Sequence, residues 1–475
     1  MHIIFLNPQG NFDPTDSHWA EHPDFGGQLV YVKEVAQAMA TMGHKVDILT
    51  RRMEDKSWPE FADEFDSYPG FETRLRIVRI PCGGPGFLAK EELWDHLGEW
   101  VRNIIAFYGD APPDFATGHY ADGGYAAALF RHERRIEFTF TGHSLGAQKL
   151  DKLGTTTANY LEMENRFRFS RRIAAERESM RRTSRIVTST RQEREEQYAH
   201  RLYAGAVDVS EAGKFAVIPP GVNTRIFTAD DTPEDAPVHG VLRRRLGKTP
   251  RPCVIVSSRL DEKKNIIGVV EAFAASAALR RRCDLMICLR GIDNPFSEIR
   301  RLSQSEQDVL GPILARIEAA GLRRQVHFAN LGSQNELAAA YRYLSRTGSV
   351  FALTAFYEPF GLAPIEAAAC GLVCVATRNG GPSEIFEDGS GVLVDPFDAD
   401  DIARGLVEAL ENHHDLATRG RRRVLAKYTW RKTAEAYLEV IAAAAGQGGD
   451  PDAPVPELDA SGLIEDYLSR ERSPG

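Results

Sequence analysis

The sequence predicts an α/β protein built from two doubly wound domains that face each other across a cleft. Three observations carry this. Apolar runs of strand length alternate with helical patterns along most of the chain, as in parallel sheets covered on both faces. The alternation breaks at residues 219–237, where Pro, Asp and Thr crowd together and periodicity fades, as in a linker. Beyond that break it restarts with a second set of strands and helices.

Taken in order, residues 2–7 read as the first strand. The stretch 28–42, QLVYVKEVAQAMATM, repeats apolar residues at helical spacing; Gly43 ends it and a strand pattern resumes at 45–49. The loop before this helix is unusually long. Further strands are expected at 76–80, 115–118, 138–141, 185–189 and 215–218, with a long Arg- and Glu-rich helical pattern over 159–183. After the linker, strands at 253–257, 285–289, 326–329, 349–354, 373–376 and 391–394 alternate with helices near 266–277, 337–343, 363–369 and 399–411. A last helix over 429–445 precedes a Gly-, Pro- and Asp-rich run that reads as poorly ordered, followed by a short helical pattern at 463–470. The expected organisation is a domain over 1–222, a second over 223–428, a helix over 429–446 and a flexible tail over 447–475. Ligands in such sheets bind at the carboxyl ends of the strands.

Composition narrows the function. With 58 Lys and Arg against 67 Asp and Glu, the net charge of −9 offers no basic excess to neutralise a nucleic-acid backbone. No apolar run approaches the ~18 residues that span a bilayer. The opening MHIIFLNPQG has no basic leader and reads as a strand, not a signal peptide. None of the six cysteines forms a C-x-x-C pair. Most lie in apolar runs, the pattern of buried free thiols in a reducing cytoplasm, with no zinc site.

Residues 142–146, GHSLG, spell the G-x-S-x-G of a hydrolase nucleophile elbow. That chemistry needs a downstream acid and histidine at strand ends. His239 falls in the linker, His327 within a strand, His413 and His414 at a helix end, and His200 makes no convincing base. Lys149 and Lys152 follow the motif instead, then Arg166, Arg168, Arg171, Arg172 and Arg177. This concentration of cations suits a phosphorylated substrate, although helix-surface solvation accounts for most of the arginines. Gly26 and Gly27 precede the helix that opens at Gln28; glycines at a helix amino end let a phosphate approach its free N–H groups. No G-x-G-x-x-G nicotinamide fingerprint stands there.

In the second half, YEPFGLAPIE places Glu358 in a loop at a strand's carboxyl end and Glu366 eight residues on, early in a helix. Gly361 and Leu362 put backbone N–H groups at that helix's start. A carboxylate for sugar hydroxyls beside N–H groups for a diphosphate suits a nucleotide sugar. Arg259 and Lys264, in SSRLDEKKN, follow a strand and would stabilise a departing pyrophosphate. Asp398-Ala399-Asp400 resembles a metal-binding D-x-D, but it opens a helix and reads as an N-cap.

Together GGQ, GHSLGAQK, VIPPGVN, SSRLDEKKN, SVFALTAFYEPFGLAPIEAAACG and RNGGPSEI resemble the retaining nucleotide-sugar glycosyltransferases of the GT-B fold. FLNPQGNFDPTDSHWAEHPDFGGQLVYVKEVAQAMA, KEELW, HYADGG and RGIDNPF narrow the match to the bacterial sucrose-phosphate synthases, over about residues 1–445. The resemblance implies two Rossmann-like domains with the C-terminal helix crossing back, docked by Trp430 and Tyr437. It implies transfer of a hexosyl group from UDP-glucose or ADP-glucose to fructose 6-phosphate, with retention. By similarity, Gly27, Gln28, Lys90, Tyr120, Ser144, Lys149 and either Arg171 or Arg172 hold the acceptor. Gly27, Arg259, Lys264, Glu358, Phe360, Gly361, Leu362 and Glu366 hold the donor, Glu366 at its ribose. Glu358 and His143 hold the transferred sugar, so the catalytic set is Arg259, Lys264, Glu358 and His143. Ser144 becomes a phosphate ligand, not a nucleophile. No metal or cofactor is implied. A related family, the mannosylfructose-phosphate synthases, uses GDP-mannose with the same acceptor. No phosphatase pattern follows residue 445, so a separate phosphatase is expected downstream. Ser170 departs from the family pattern, where a bulkier polar residue is expected.

Overall fold

The computed structural model describes residues 1–17, 27–444 and 446–470. The chain divides into two compact units, Met1–Pro219 with Thr433–Gly475, and Pro220–Lys432.

The first unit contains β1 (His2–Leu6), β2 (Lys45–Arg51), β3 (Phe65–Asp66), β4 (Leu75–Ile80), β5 (Phe115–His119), β6 (Phe138–Thr141), β7 (Arg185–Thr188) and β8 (Phe215–Val217). They form one sheet in the order β3-β4-β2-β1-β5-β6-β7-β8, parallel except for β3 against β4. Its helices are α1 (Gly27–Thr41), α2 (Leu97–Tyr108), α3 (Tyr120–Arg134), α4 (Gly146–Lys152), α5 (Tyr160–Phe167) and α6 (Phe169–Arg182). Strand order reverses at β1, whose Leu6 pairs with Leu49 on one side and Gly118 on the other. Ile4, Leu6, Phe138, Phe140 and Ile186 from the strands pack with Trp100, Ile104 and Phe130 from the helices. Each such buried side chain contributes about 1.5–3 kcal/mol.

In the second unit, α7 (Ala236–Leu246), β9 (Cys253–Val256), α8 (Ile266–Ala275), α9 (Ala277–Arg282), β10 (Asp284–Leu289), α10 (Pro295–Glu298), α11 (Gln304–Ala319), β11 (Val326–Asn330) and α12 (Gln334–Ser345) come first. Then follow β12 (Val350–Leu353), α13 (Leu362–Ala369), β13 (Val373–Thr377), α14 (Gly381–Ile385), β14 (Val392–Val394), α15 (Ala399–Glu411) and α16 (His413–Lys427). The sheet order is β11-β10-β9-β12-β13-β14, all parallel, so the reversal falls between β9 and β12. The chain returns to the first unit at Thr433, inside α17 (Trp430–Ala443), and ends its described part with α18 (Ser461–Arg470). Tyr437 is fully buried there, its hydroxyl 2.6 Å from Thr141 Oγ1; Trp430 falls in the second unit.

Several local expectations are corrected. The helical pattern over 159–183 is two helices, parted at Arg168, whose φ of +50° closes α5. Glu164 from α5 then accepts from Ser170 N at 2.9 Å, capping α6. This gives Ser170 a structural role: its small, buried side chain sits in the turn, and its carbonyl accepts from Ala460 N. The pattern over 266–277 also divides, because Ser276 caps α9 by accepting from Leu279 N. Most of the segment read as a linker belongs to the second unit: Phe227 is buried, and Asp235 binds the buried Arg342 guanidinium through two hydrogen bonds of 2.6 Å.

Nor are the described residues 447–470 a free tail. Arg182 donates to Ala453 O and Pro454 O, Tyr467 donates to Asp151, and Ile464, Tyr467 and Leu468 are buried in the first unit's core. Their Pro- and Asp-rich composition hid this, because carbonyls and a short amphipathic helix anchor them instead of a long apolar pattern.

The six cysteines are buried and free. Among the described residues no helix is long and apolar enough to cross a membrane.

Candidate active site

Each unit carries candidate residues at the carboxyl ends of strands at or near its reversal, where open α/β sheets place ligands. In the second unit β9 runs into the loop carrying Arg259 and Lys264, and β12 into the loop carrying Glu358. Lys264 Nζ donates to Glu358 Oε2 at 2.7 Å, both side chains largely buried. Arg259 is exposed. Asn265, the residue after Lys264, fixes this geometry. At a φ of +51° it caps α8, and its amide donates to Thr354 O at 3.1 Å and Pro396 O at 2.7 Å, tying three strand-end loops together.

Behind Glu358 stands Asn379-Gly380-Gly381, from the end of β13. Glu358 N donates to Asn379 O at 3.1 Å, and Gly381 N donates to Glu358 O at 2.9 Å. A Cβ on Gly380 would lie 2.1 Å from Glu358 O, and one on Gly381 2.2 Å from Phe360 O. Two adjacent glycines are therefore what lets this loop press against the next. Gly361, at a φ of +107°, turns the chain into α13, where Leu362 is the first residue and Phe360 packs beneath. Glu366 lies one turn on, and burial pushes its carboxyl up to about 7. Asp398 accepts from Asp400 N and Asp401 N, as an N-cap does.

In the first unit β5 ends at His119 and β6 leads to His143 and Ser144. His143 Nε2 and His119 Nδ1 are 3.0 Å apart with the rings stacked, and Tyr31 meets His143 edge-on at 5.0 Å. Burial holds the His143 ring neutral, its pKa lowered to about 3. The left-handed backbone of the G-H-S-L-G turn falls on His143, at a φ of +55°, and not on the serine.

Ser144 is exposed, and its carbonyl accepts from Arg172 Nη2 at 2.5 Å. That guanidinium lies 4.6 Å from the Tyr120 ring centre. Lys149, on α4, sits in the same positive neighbourhood; burial first, then Arg172 and Lys90, lower its ammonium to about 8. Lys90, Tyr120, Ser144, Lys149 and Arg172 thus form one cluster. Arg171 does not join it: it points to Asp95, 2.5 Å away. The two adjacent arginines face apart because successive helix positions are about 100° apart. Gly27 opens α1 exposed, with Gln28 half-buried beside it; Gly26 lies outside the described residues.

The sequence reading gave no role to His119, Asn265, Asn379, Gly380, Gly381 or Glu176, which braces Arg172. A Gly-Gly pair in the loop shortly after a strand is the available sequence signal of close backbone approach. One cluster with metal-ligand spacing occurs among the described residues, Asp231, Asp235 and His239. Its carboxylates are already bound by Arg346 and Arg342, so it is an ion-pair network.

Comparison with known proteins finds a match for each unit. Residues 26–221 match the glycosyl transferase 4-like domain, and residues 241–428 match glycosyl transferases group 1. A probable sucrose-phosphate synthase of Thermosipho melanesiensis is 47% identical, over 93% of this chain and 96% of that protein. A probable sucrose-phosphate synthase of Vicia faba is 31% identical over 93% of this chain but only 47% of its own length. In structure, a sucrose-phosphate synthase from Thermosynechococcus elongatus aligns with a TM-score of 0.63 at 23% identity, covering 93% and 99% of the two chains. Anabaena HepE in complex with UDP and glucose aligns at 0.58 and 16% identity, covering 93% and 99%.

Proposed function

The chain belongs to the sucrose-phosphate synthase family of glycosyltransferases, and on that footing we propose that it transfers glucose from UDP-glucose or ADP-glucose to fructose 6-phosphate, giving sucrose 6-phosphate. The observation that carries the acceptor half is the cluster of Arg172, Lys149 and Lys90 around Ser144 and Tyr120. One buried guanidinium with two half-buried ammonium groups in its neighbourhood suits a phosphate monoester better than a neutral sugar. The second unit is the proposed donor side: Arg259 and Lys264 for the diphosphate, Glu366 for the ribose, the Phe360–Leu362 backbone beside them, and Glu358 for the sugar.

Chemically, the bond from the anomeric carbon to the diphosphate breaks as the acceptor hydroxyl bonds to the same face, which retains configuration. The hydroxyl's proton passes to the departing phosphate oxygen. Glu358 is already engaged by Lys264 and does not act as base. Arg259 and Lys264 take up the charge that develops on the leaving group, and preorganised charge of this kind is a large catalytic term. On this reading the reaction needs neither a metal nor a cofactor. The product keeps its phosphate, so a phosphatase acting on that ester is the class of enzyme proposed to consume it.

Thermal shift with UDP, ADP and GDP tests the donor assignment. Stabilisation by UDP or ADP is expected. Selective stabilisation by GDP would move the assignment to mannosyl transfer from GDP-mannose.

A further inference from the structure

Glu176, on α6, is fully buried. Its carboxylate accepts from Gly146 N at 2.9 and 3.0 Å and from Arg172 Nε at 3.0 Å, and the Tyr203 hydroxyl donates to it as well. That hydroxyl in turn accepts from Ala147 N at 3.1 Å. The first two amides of α4 and the Arg172 guanidinium are therefore gathered on one buried anion and its phenol partner.

The arrangement closes a ring. Glu176 holds Gly146 N; two residues earlier, the Ser144 carbonyl accepts from Arg172 Nη2; Arg172 Nε returns to Glu176. Gly146 is the only residue type that fits here without displacement, since a Cβ would sit 3.1 Å from Glu176 Oε2 and 3.2 Å from Arg172 Cδ. Lys149 rides on the helix so fixed. A buried ion pair of this kind is weak evidence for stability, because desolvation offsets its attraction. Its distinctive consequence is geometric: one carboxylate sets where Arg172, Ser144 and Lys149 stand relative to each other.

We propose that Glu176 is the positioning residue of the phosphate grip, aligning Arg172 with the start of α4 without itself touching the acceptor. This rests on reading the cluster as the acceptor's phosphate site.

The test uses the full-length chain with Glu176→Gln, which keeps the shape and removes the charge. Three quantities are measured: the Kd for inorganic phosphate, KM and kcat with fructose 6-phosphate, and the thermal shift given by UDP. The phosphate Kd and the acceptor KM are expected to rise by about tenfold or more, the scale of a lost charged hydrogen bond. The kcat at saturating acceptor stays within about threefold, the signature of lost uniform binding. The nucleotide shift stays unchanged, and Arg172→Ala added to Glu176→Gln is far less than additive. An unaltered phosphate Kd, additive effects, or a parallel loss of nucleotide binding would overturn the proposal. If Glu176→Gln does not fold, Glu176→Asp, which keeps the charge but shortens the reach to Gly146 N and Arg172 Nε, decides it. A weakened phosphate Kd supports the proposal and an unchanged one ends it. A wild-type chain that binds phosphate yet never consumes fructose 6-phosphate would sink the substrate assignment, and the phosphate measurement would still judge Glu176.

Discussion

Lys264 Nζ donates to Glu358 Oε2 at 2.7 Å, joining residues 94 apart in sequence at the ends of neighbouring strands. The cation assigned to the leaving diphosphate and the carboxylate assigned to the sugar hydroxyls are thus held in register by each other. Lys264→Ala is expected to lower kcat by about 10²-fold or more, the scale of losing one preorganised electrostatic contact. Adding Glu358→Ala should cost less than the sum of the two single changes, because residues in one network couple. Steady-state kinetics on the four variants checks both. Near wild-type turnover in Lys264→Ala would remove Lys264 from the site.

Acceptor binding should carry the signature of Lys149. Its ammonium titrates near 8, chiefly through burial. Below that value it is charged and attracts the phosphate; above it the charge is lost. The acceptor KM is therefore expected to rise with pH through about 8, by up to about tenfold on the scale of a charge-assisted hydrogen bond. Lys149→Arg should flatten the rise, since guanidinium does not titrate there. A wild-type KM constant from pH 7 to 9.5 would contradict the assignment.

Glu366, the proposed ribose ligand, should give the opposite slope. Burial raises its carboxyl to about 7, so it gains its charge only as pH climbs past that point. A carboxylate accepts ribose hydroxyls better than a carboxylic acid does. Nucleotide affinity, read by titration calorimetry, is expected to fall as pH drops from 8 to 6, and Glu366→Gln should lose that dependence. Glu366→Ala is expected to lower turnover by about 10²-fold.

Gly380 should be intolerant of any side chain. Its φ of 100° and ψ of −154° lie in a region reserved almost entirely for glycine, and a Cβ would meet Glu358 O at 2.1 Å. Strain of this kind costs on the order of 1–3 kcal/mol, more with the overlap. Gly380→Ala is expected to lower Tm and to weaken nucleotide binding together, because the displaced loop carries Glu358. A variant with wild-type Tm and UDP affinity would show that the loops do not brace each other.

How legible all this was depended on the physical range of each interaction. Strand runs such as 138–141 and 253–257 are local and apolar, so their pattern sufficed. Arg259, Lys264, Glu358 and Glu366 stand beside strand ends and helix starts, which the same pattern locates. What sequence could not show was pairing across the fold. Asn265 reaching Thr354 and Pro396, or Glu176 reaching Gly146, has no periodicity to betray it. Arg171 and Arg172 are equivalent as letters; only the helix turn that sends one to Asp95 and the other to Ser144 separates them. The stretch 219–237 misled for the reverse reason: linker-like composition conceals Phe227 and Asp235, each buried by a distant partner.

The most direct test offers the purified chain UDP-glucose, ADP-glucose and GDP-mannose, each with fructose 6-phosphate, and reads the product by mass and anomeric configuration. A hexosyl-fructose phosphate with the donor's configuration retained, formed from UDP-glucose or ADP-glucose, is the predicted result. A product of inverted configuration, or no consumption of the ketose phosphate with any of the three, would contradict the account.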